Sequence, residues 1–359
     1  MNLNNWEEIK ERYRALWSIS NETPLVHIKG VADSYIPDEI AIPETLEQQW
    51  LDAEYVLASS RNKIRGTYYA GDAFPLIMPN LGPDLLGAML GCDLIFGETT
   101  SWSVPCMSED EWGARHFIFE ESNVWWKQVY NLTEYLASES RGEFFVGFSD
   151  YHPGCDALVA LRGPEAFCID LLNHQKEILQ ATKEIFEVFR QVVDRTHSML
   201  SKYQEGSATW MPIWHPGKWY VTSCDLICMI SPEMFETFVA GELDKELEYL
   251  DASIFHLDGP AAIHTHLDRL ISFPKLNGVQ LQYGAGGGTA KDWITAAKKI
   301  QDSGKIVEIT TAPEHISDIL ENLKPQGLFI HVHPEPNNGT AKPFTQDEVD
   351  SIMKKWFNK

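Results

Sequence analysis

Six of the twelve histidines in this chain, His152, His215, His256, His315, His331 and His333, fall at or just after the ends of short apolar runs. Imidazole exchanges protons near neutral pH and binds borderline metals, so a ring of it around one end of a fold points to chemistry. Two patterns stand out. His256-x-Asp258 and His331-x-His333 each put alternate side chains of an extended segment on one side, so ligand-type residues from two strand ends can converge. Histidine with a carboxylate suits zinc, or a harder divalent ion such as iron or manganese. The His256 and Asp258 pair equally suits acid–base work or hydrogen bonding to a substrate without a metal, and the spacing leaves both open.

Other polar groups stand at the same kind of position. Glu98 heads Thr99-Thr100-Ser101-Trp102, Ser149-Asp150-Tyr151-His152 follows another apolar run, and Trp214-His215 is followed by Lys218, Trp219 and Asp225. Gln282-Tyr283-Gly284 ends a further run, and Gly284–Gly288 before Thr289 offers backbone N–H groups to an anion. That loop lacks the Lys-Ser/Thr of a nucleotide-hydrolysing P-loop, and a flexible loop over one end of the fold is its plainer reading. The six cysteines are scattered, and Cys224-x-x-x-Cys228 has no second pair to complete a structural zinc site, so reduced structural thiols are expected. Twelve tryptophans are many, and those near loops would suit a flat ligand, a sugar face or a quaternary ammonium group.

The elements that must position these groups alternate along the chain. Strands are expected at Pro24–Lys29, Asp93–Gly97, Glu143–Phe148, Thr209–Trp214, Ser253–Leu257, Gly278–Gln282, Lys305–Thr310 and Gly327–Val332. Helices are expected at Pro164–Tyr203, Pro232–Leu250, Pro260–Leu270, Ala290–Ser303, Glu314–Leu323 and Thr345–Phe357, several with Pro in the first turn. Eight strands with intervening helices imply an α/β fold, a single (β/α)8 TIM barrel, over a doubly wound sheet whose G-x-G-x-x-G is missing. The barrel spans residues 1–359 as one domain, with an N-terminal helical extension and a long excursion at about 65–83. In a barrel, reacting groups come from the carboxyl ends of the strands, where the histidines lie.

Lys and Arg number 29 against 52 Asp and Glu, a net charge of −23 that argues against nucleic acid as a partner. The opening MNLNNWEEIKERYRALW has helical spacing without the apolar core of a signal peptide, and no apolar run approaches the ~20 residues of a membrane span. A cytoplasmic protein is expected, with a homodimer as the default assembly.

Taken together, Asp93–Trp102 (DLIFGETTSW), Phe144–His152 (FFVGFSDYH), Asp225–Glu242 (DLICMISPEMFETFVAGE), Ile254–Gly259 (IFHLDG) and Gly327–His333 (GLFIHVH) resemble, in order and spacing, the uroporphyrinogen decarboxylase (URO-D) superfamily. The resemblance covers most of the chain and implies a (β/α)8 barrel. True decarboxylases of that superfamily carry an arginine-rich turn after the first strand, where this chain has His27-Ile28-Lys29-Gly30-Val31-Ala32-Asp33 and no arginine until Arg61. A polycarboxylate substrate needs such guanidinium forks, so porphyrinogen decarboxylation is not expected. The corrinoid-linked methyltransferases bind zinc through H-x-C at the fifth strand and a later cysteine. Here His256 is kept, Asp258 replaces the cysteine, and His331 or His333 would be the downstream ligand.

The resemblance therefore implies an enzyme of the methyltransferase branch, taking a methyl group from a small methylated substrate to a corrinoid carried on a partner protein. In that scheme a divalent metal, zinc above all, lies among His256, Asp258, His331 and His333. His152, His256, Asp258 and His331 are the catalytic groups. Glu98, Gln282, Tyr283 and Asp225 hold the substrate, and Trp102 and Trp214 wall its pocket. The alternatives are a lyase or decarboxylase using His152, His256 and His331 as acid–base groups on a small oxygenated substrate, and a ligand-binding barrel without catalysis.

Overall fold

Apolar and polar residues alternate along the later strands, and the computed structural model, which describes residues 5–284, 286–335 and 341–358, shows what the alternation separates. The strands are β1 (Leu25–Val31), β2 (Thr67–Gly71), β3 (Leu76–Ile77), β4 (Asp93–Phe96), β5 (Ser101–Val104), β6 (Phe145–Val146), β7 (Trp219–Ser223), β8 (Ala252–Asp258), β9 (Gly278–Gln282), β10 (Ile306–Thr311), β11 (Leu328–Val332) and β12 (Phe344–Thr345). Strands β7, β8, β9, β10, β11 and β1 lie side by side and parallel, with β12 parallel and β2 antiparallel to β1. A short parallel pair, β3 with β6, and an antiparallel hairpin, β4 with β5, stand apart from that ladder. Parallel neighbours need crossovers, and helices Ala240–Tyr249, Pro260–Ile271, Ile294–Asp302 and Ile316–Asn322 supply them in turn. The molecule is thus a mixed α/β fold with a parallel central sheet.

One face of the sheet packs on helices. It carries Val26, Ile28, Phe255, Leu257, Val279, Leu281, Val307, Ile309, Leu328 and Ile330, all within the larger apolar core. The other, inner face has an apolar floor made of Leu25, Val221, Ile254, Ile306 and Phe329 with Phe74, Trp214 and Trp219. Helix Trp6–Trp17 closes this floor through Ile9, Tyr13 and Leu16. Each such buried side chain contributes about 1.5–3 kcal/mol. The alternation that sends Leu25, Ile254, Ile306 and Phe329 inward sends His27, His256, Glu308 and His331 inward one step nearer the carboxyl ends. The inner face is apolar at its floor and polar toward its mouth.

The floor is also tied together by one buried carboxylate. Asp72 pairs with Arg12 and accepts the Val26 amide at 2.8 Å, while the Tyr13 hydroxyl lies 2.9 Å from the Asp72 carbonyl. Gly71, at φ +69°, makes the turn into Asp72; a Cβ there would come within 2.3 Å of the Val26 carbonyl oxygen.

Three expectations change. Asp93–Gly97 is extended, but as β4 it pairs with β5 in the hairpin instead of joining the ladder. Thr209–Trp214 is not the fourth strand. Ser207 and His215 exchange backbone hydrogen bonds at 2.8 and 3.0 Å around a loop in which Pro212 has no N–H and the Thr209 hydroxyl takes the Met211 amide. The strand comes later, as β7. The expected excursion at 65–83 contains β2, hairpinned on β1, and then β3, which pairs with β6. No helix among the described residues is long and apolar enough to cross a membrane.

Candidate metal and substrate site

Beyond β6 the chain is pinned before it reaches His152. The Ser149 hydroxyl donates to the Pro79 carbonyl at 2.7 Å, and the buried Tyr220 hydroxyl bridges the Ser149 carbonyl (2.8 Å) and the Tyr151 amide (2.7 Å). His152 then adopts φ +34°, a left-handed conformation that a non-glycine residue holds only where its surroundings fix it. Its ring lies between two carboxylates: Nε2 is 3.2 Å from Asp150, and Nδ1 is 3.3 Å from Asp156 and 3.3 Å from the Ser223 hydroxyl. Asp156, in the first turn of helix Cys155–Arg162, is itself held by the backbone amides of Asp225 (2.8 Å) and Leu226 (3.2 Å).

His152, Asp156 and Asp225 offer donor atoms that all lie within 4.8 Å of one another. Burial disfavours the His152 imidazolium, but Asp150 and then Asp156 outweigh it and raise the group well above its ordinary range. Burial, then Asp156 and Asp258, raise the Asp225 carboxyl, against His152 and His256. Carboxylates crowded in this way are relieved by a cation. The donors are oxygen and nitrogen, while burial raises the thiols of Cys155, Cys224 and Cys228. A borderline or hard divalent ion fits this set, and a thiolate-bound one does not.

On β8, the His256 ring nitrogen Nδ1 lies 2.5 Å from the Gln280 Oε1 of β9, and Trp210 packs edge-on against the ring at 5.1 Å. Gln280 in turn contacts Glu308 on β10, fully buried, whose carboxyl burial pushes up to about 8. Across the inner face the setting reverses. His27 and His331, level with each other on β1 and β11, have ring centroids 4.7 Å apart. Burial and the nearby Lys29 lower His331 to about 3 and His27 well below its usual range. Lys29 keeps solvent access at the mouth, but the crowding around it lowers its ammonium to about 8.

The expected metal set, His256, Asp258, His331 and His333, is not among the groups of three or more donor atoms that lie within 4.8 Å of one another among the described residues, and β9 and β10 stand between β8 and β11. His331 packs on His27, and His333 Nδ1 accepts the Glu335 amide at 3.3 Å. Asp225, expected to hold substrate, instead joins His152 and Asp156. Trp214 is fully buried at the floor, its indole N–H on the Glu205 carbonyl, since the segment before β7 lies at the amino-terminal end. Tyr283 is buried too, its hydroxyl on the Thr310 carbonyl and its ring stacked on Trp293. Trp102 is 46% exposed on β5 and is not part of the wall of the cavity beside Glu98. Gln282 is level with Asp258 on the neighbouring strand. The Thr289 amide is taken by Asp292, which leaves the glycine loop one donor fewer for an anion.

Glu98 does line a cavity. It is about 570 Å³, within the range of small-molecule sites, and is walled by Trp50, Tyr55, Lys63, Asn80, Glu98 and Thr99 among others. Asn80 follows Pro79, the residue bonded to Ser149, so one short stretch of chain connects this cavity to Asp150 and His152. Asp156, Gln280 and Glu308 escaped the sequence reading. Their signals were a carboxylate four residues after His152 and single polar residues inside the apolar strands GVQLQ and IVEITT. All six cysteines are free, as expected.

No protein-family model matches this chain, and no curated protein matches it. Among solved structures, a methyltransferase from Methanosarcina mazei superposes with a TM-score of 0.64 at 11% identity, over 97% of this chain and 99% of that one. At that identity the likeness shows a shared fold.

Proposed function

We propose that this protein is a URO-D-like enzyme of the methyltransferase branch, transferring a methyl group from a small methylated substrate to a corrinoid held by a partner protein. Strands β1, β3, β6, β7, β8, β9, β10 and β11 are the eight staves of its barrel, one domain closed at the floor by helix Trp6–Trp17. The observation that carries the reading is the His152, Asp156 and Asp225 cluster at the carboxyl ends of β6 and β7, on a fold shared with a methyltransferase. These three residues would hold a divalent cation, zinc in the first place. When bound it supplies Lewis-acid polarisation of the heteroatom that carries the methyl group. Asp150 orients the His152 ring, and the Asp225 and Leu226 amides fix the Asp156 carboxylate. The cavity beside Glu98 holds the substrate, with Lys63 and Asn80 as its polar contacts and Trp50 as its aromatic wall.

Metal analysis of the purified protein, followed by methyl-transfer assays against free cob(I)alamin with a panel of methylated alcohols and amines, tests this. About one equivalent of zinc, iron or manganese, and turnover abolished by chelation and restored by metal, is the expected result. Turnover that survives chelation would point to acid–base catalysis by the histidines. Absence of methyl transfer to any corrinoid would remove the proposal.

A further inference from the structure

Histidine can carry its single neutral-state proton on either ring nitrogen, and which one it is decides what the other can do. We infer that Gln280 and Glu308 are positioning residues that hold His256 with its proton on Nδ1, leaving Nε2 as a lone-pair donor toward Asp225 and Asp258. The inference rests on the cation reading above and deepens it by adding the groups that set the proton of the histidine next to that cluster.

The geometry begins at the 2.5 Å contact between His256 Nδ1 and Gln280 Oε1, residues level with each other on adjacent strands. An amide oxygen only accepts, so Nδ1 must be the nitrogen that donates. Nε2 makes no hydrogen bond among the described residues and is not a buried orphan. It is open, and His256 acts electrostatically on Asp225, which places the ring beside the cluster although it is not one of the three donors that lie within 4.8 Å of one another.

An amide can turn over, and turned over it would present N–H to Nδ1 and reverse the tautomer. Glu308 opposes that. It is level with Gln280 on β10, 1% exposed, and in contact with the Gln280 side chain. A carboxyl oxygen there accepts from the amide NH2 and so directs Oε1 to the histidine. Its second oxygen, Oε2, has no hydrogen-bond partner among the described residues, which leaves room for the proton that burial favours without disturbing the accepting oxygen. A buried carboxyl with an orphaned oxygen is costly, and a role in setting the amide explains its presence. Trp210, edge-on to the ring at 5.1 Å, opposes the ring flip that would put the carbon Cδ2 where Nδ1 meets Gln280.

Nitrogen-15 NMR of the metal-free protein tests this directly, because the two tautomers have distinct ring-nitrogen shifts and couplings. The wild type should show His256 protonated at Nδ1. Gln280→Leu should move the population to Nε2–H, Glu308→Leu should give a mixture, and apparent zinc affinity in Gln280→Leu should fall about 10- to 100-fold. A wild-type His256 protonated at Nε2 overturns the inference, and this reading needs no variant to fold. So does a folded Gln280→Leu protein whose tautomer is unchanged. If the tautomer responds as expected while neither metal nor methyl transfer is found, the positioning stands and only the function proposed above falls.

Discussion

The two sides of the inner face use the same side chain for opposite ends. His152, between β6 and β7, and His331, on β11, are both crowded by protein, and burial pushes both toward the neutral form. On the first side Asp150 and Asp156 stand about one hydrogen bond away and reverse that push. On the second, His27 packs on the ring, and Lys29 and then His333 reinforce that push. Burial alone therefore does not say what a histidine does in this fold; the charge of its nearest partners does. One side is built to gather positive charge and the other to keep its histidines neutral.

The most damaging way to break this contrast is to remove Asp156. Asp156→Ala strips His152 of one partner and leaves the Asp225 and Leu226 amides without their acceptor. A partly buried ion pair cut on one side typically costs about 3–5 kcal/mol. Urea denaturation should show a loss of this order, and zinc titration by calorimetry should lose at least a hundredfold in affinity. A folded Asp156→Ala protein that bound zinc as the wild type does would show that the first side gathers charge for some other end.

The second side is sharpened by acid. His331 titrates at about 3 when folded and near 6.5 when unfolded, so its folded pKa is depressed. The unfolded chain then takes up the proton first, and stability present above pH 6.5 is lost as the pH falls toward 3. At pH 4 this one group accounts for about 3 kcal/mol at most, less wherever solvent reaches the ring. His27, lowered in the same direction, adds to it. Denaturation at pH 7, 5.5 and 4 should give a shallower decline in His331→Gln than in the wild type. Equal slopes would mean that His331 is charged in the folded state and the contrast with His152 is absent.

How much of this was written in the sequence follows from the same physics. The later strands were legible because inward and outward positions alternate, and Gly278–Gln282 was read to the residue. The run Thr209–Trp214 misled because its apolar residues pack on the floor as a loop, and apolarity records burial without recording backbone conformation. Histidines at strand ends were visible, and so was Asp225. Their grouping was not, since it depends on how many strands separate two ends and on a left-handed turn at His152 that spacing does not encode. Asp156 joins the site through the first turn of a helix, four residues from its partner, a proximity that spacing contains but that competes with many like it.

The smallest test is on the side of His331. His27 is fully buried, and neither ring nitrogen has a hydrogen-bond partner among the described residues; the Pro212 carbonyl faces it without completing one. It lies between Phe329, edge-on at 6.4 Å, and His331. Phenylalanine has nearly the same outline and no polar atoms to strand, so His27→Phe should remove the desolvation cost of two nitrogens and add a little crowding. The balance favours the variant by about 1 kcal/mol, which for a chain of this length is a rise of roughly 1–2 °C in Tm. The same exchange at His152 should destabilise, because it would leave Asp150 and Asp156 facing each other across an apolar ring. If His27→Phe loses as much stability as His152→Phe, then the His27 nitrogens are doing polar work, and the two sides of the inner face are not built on different principles.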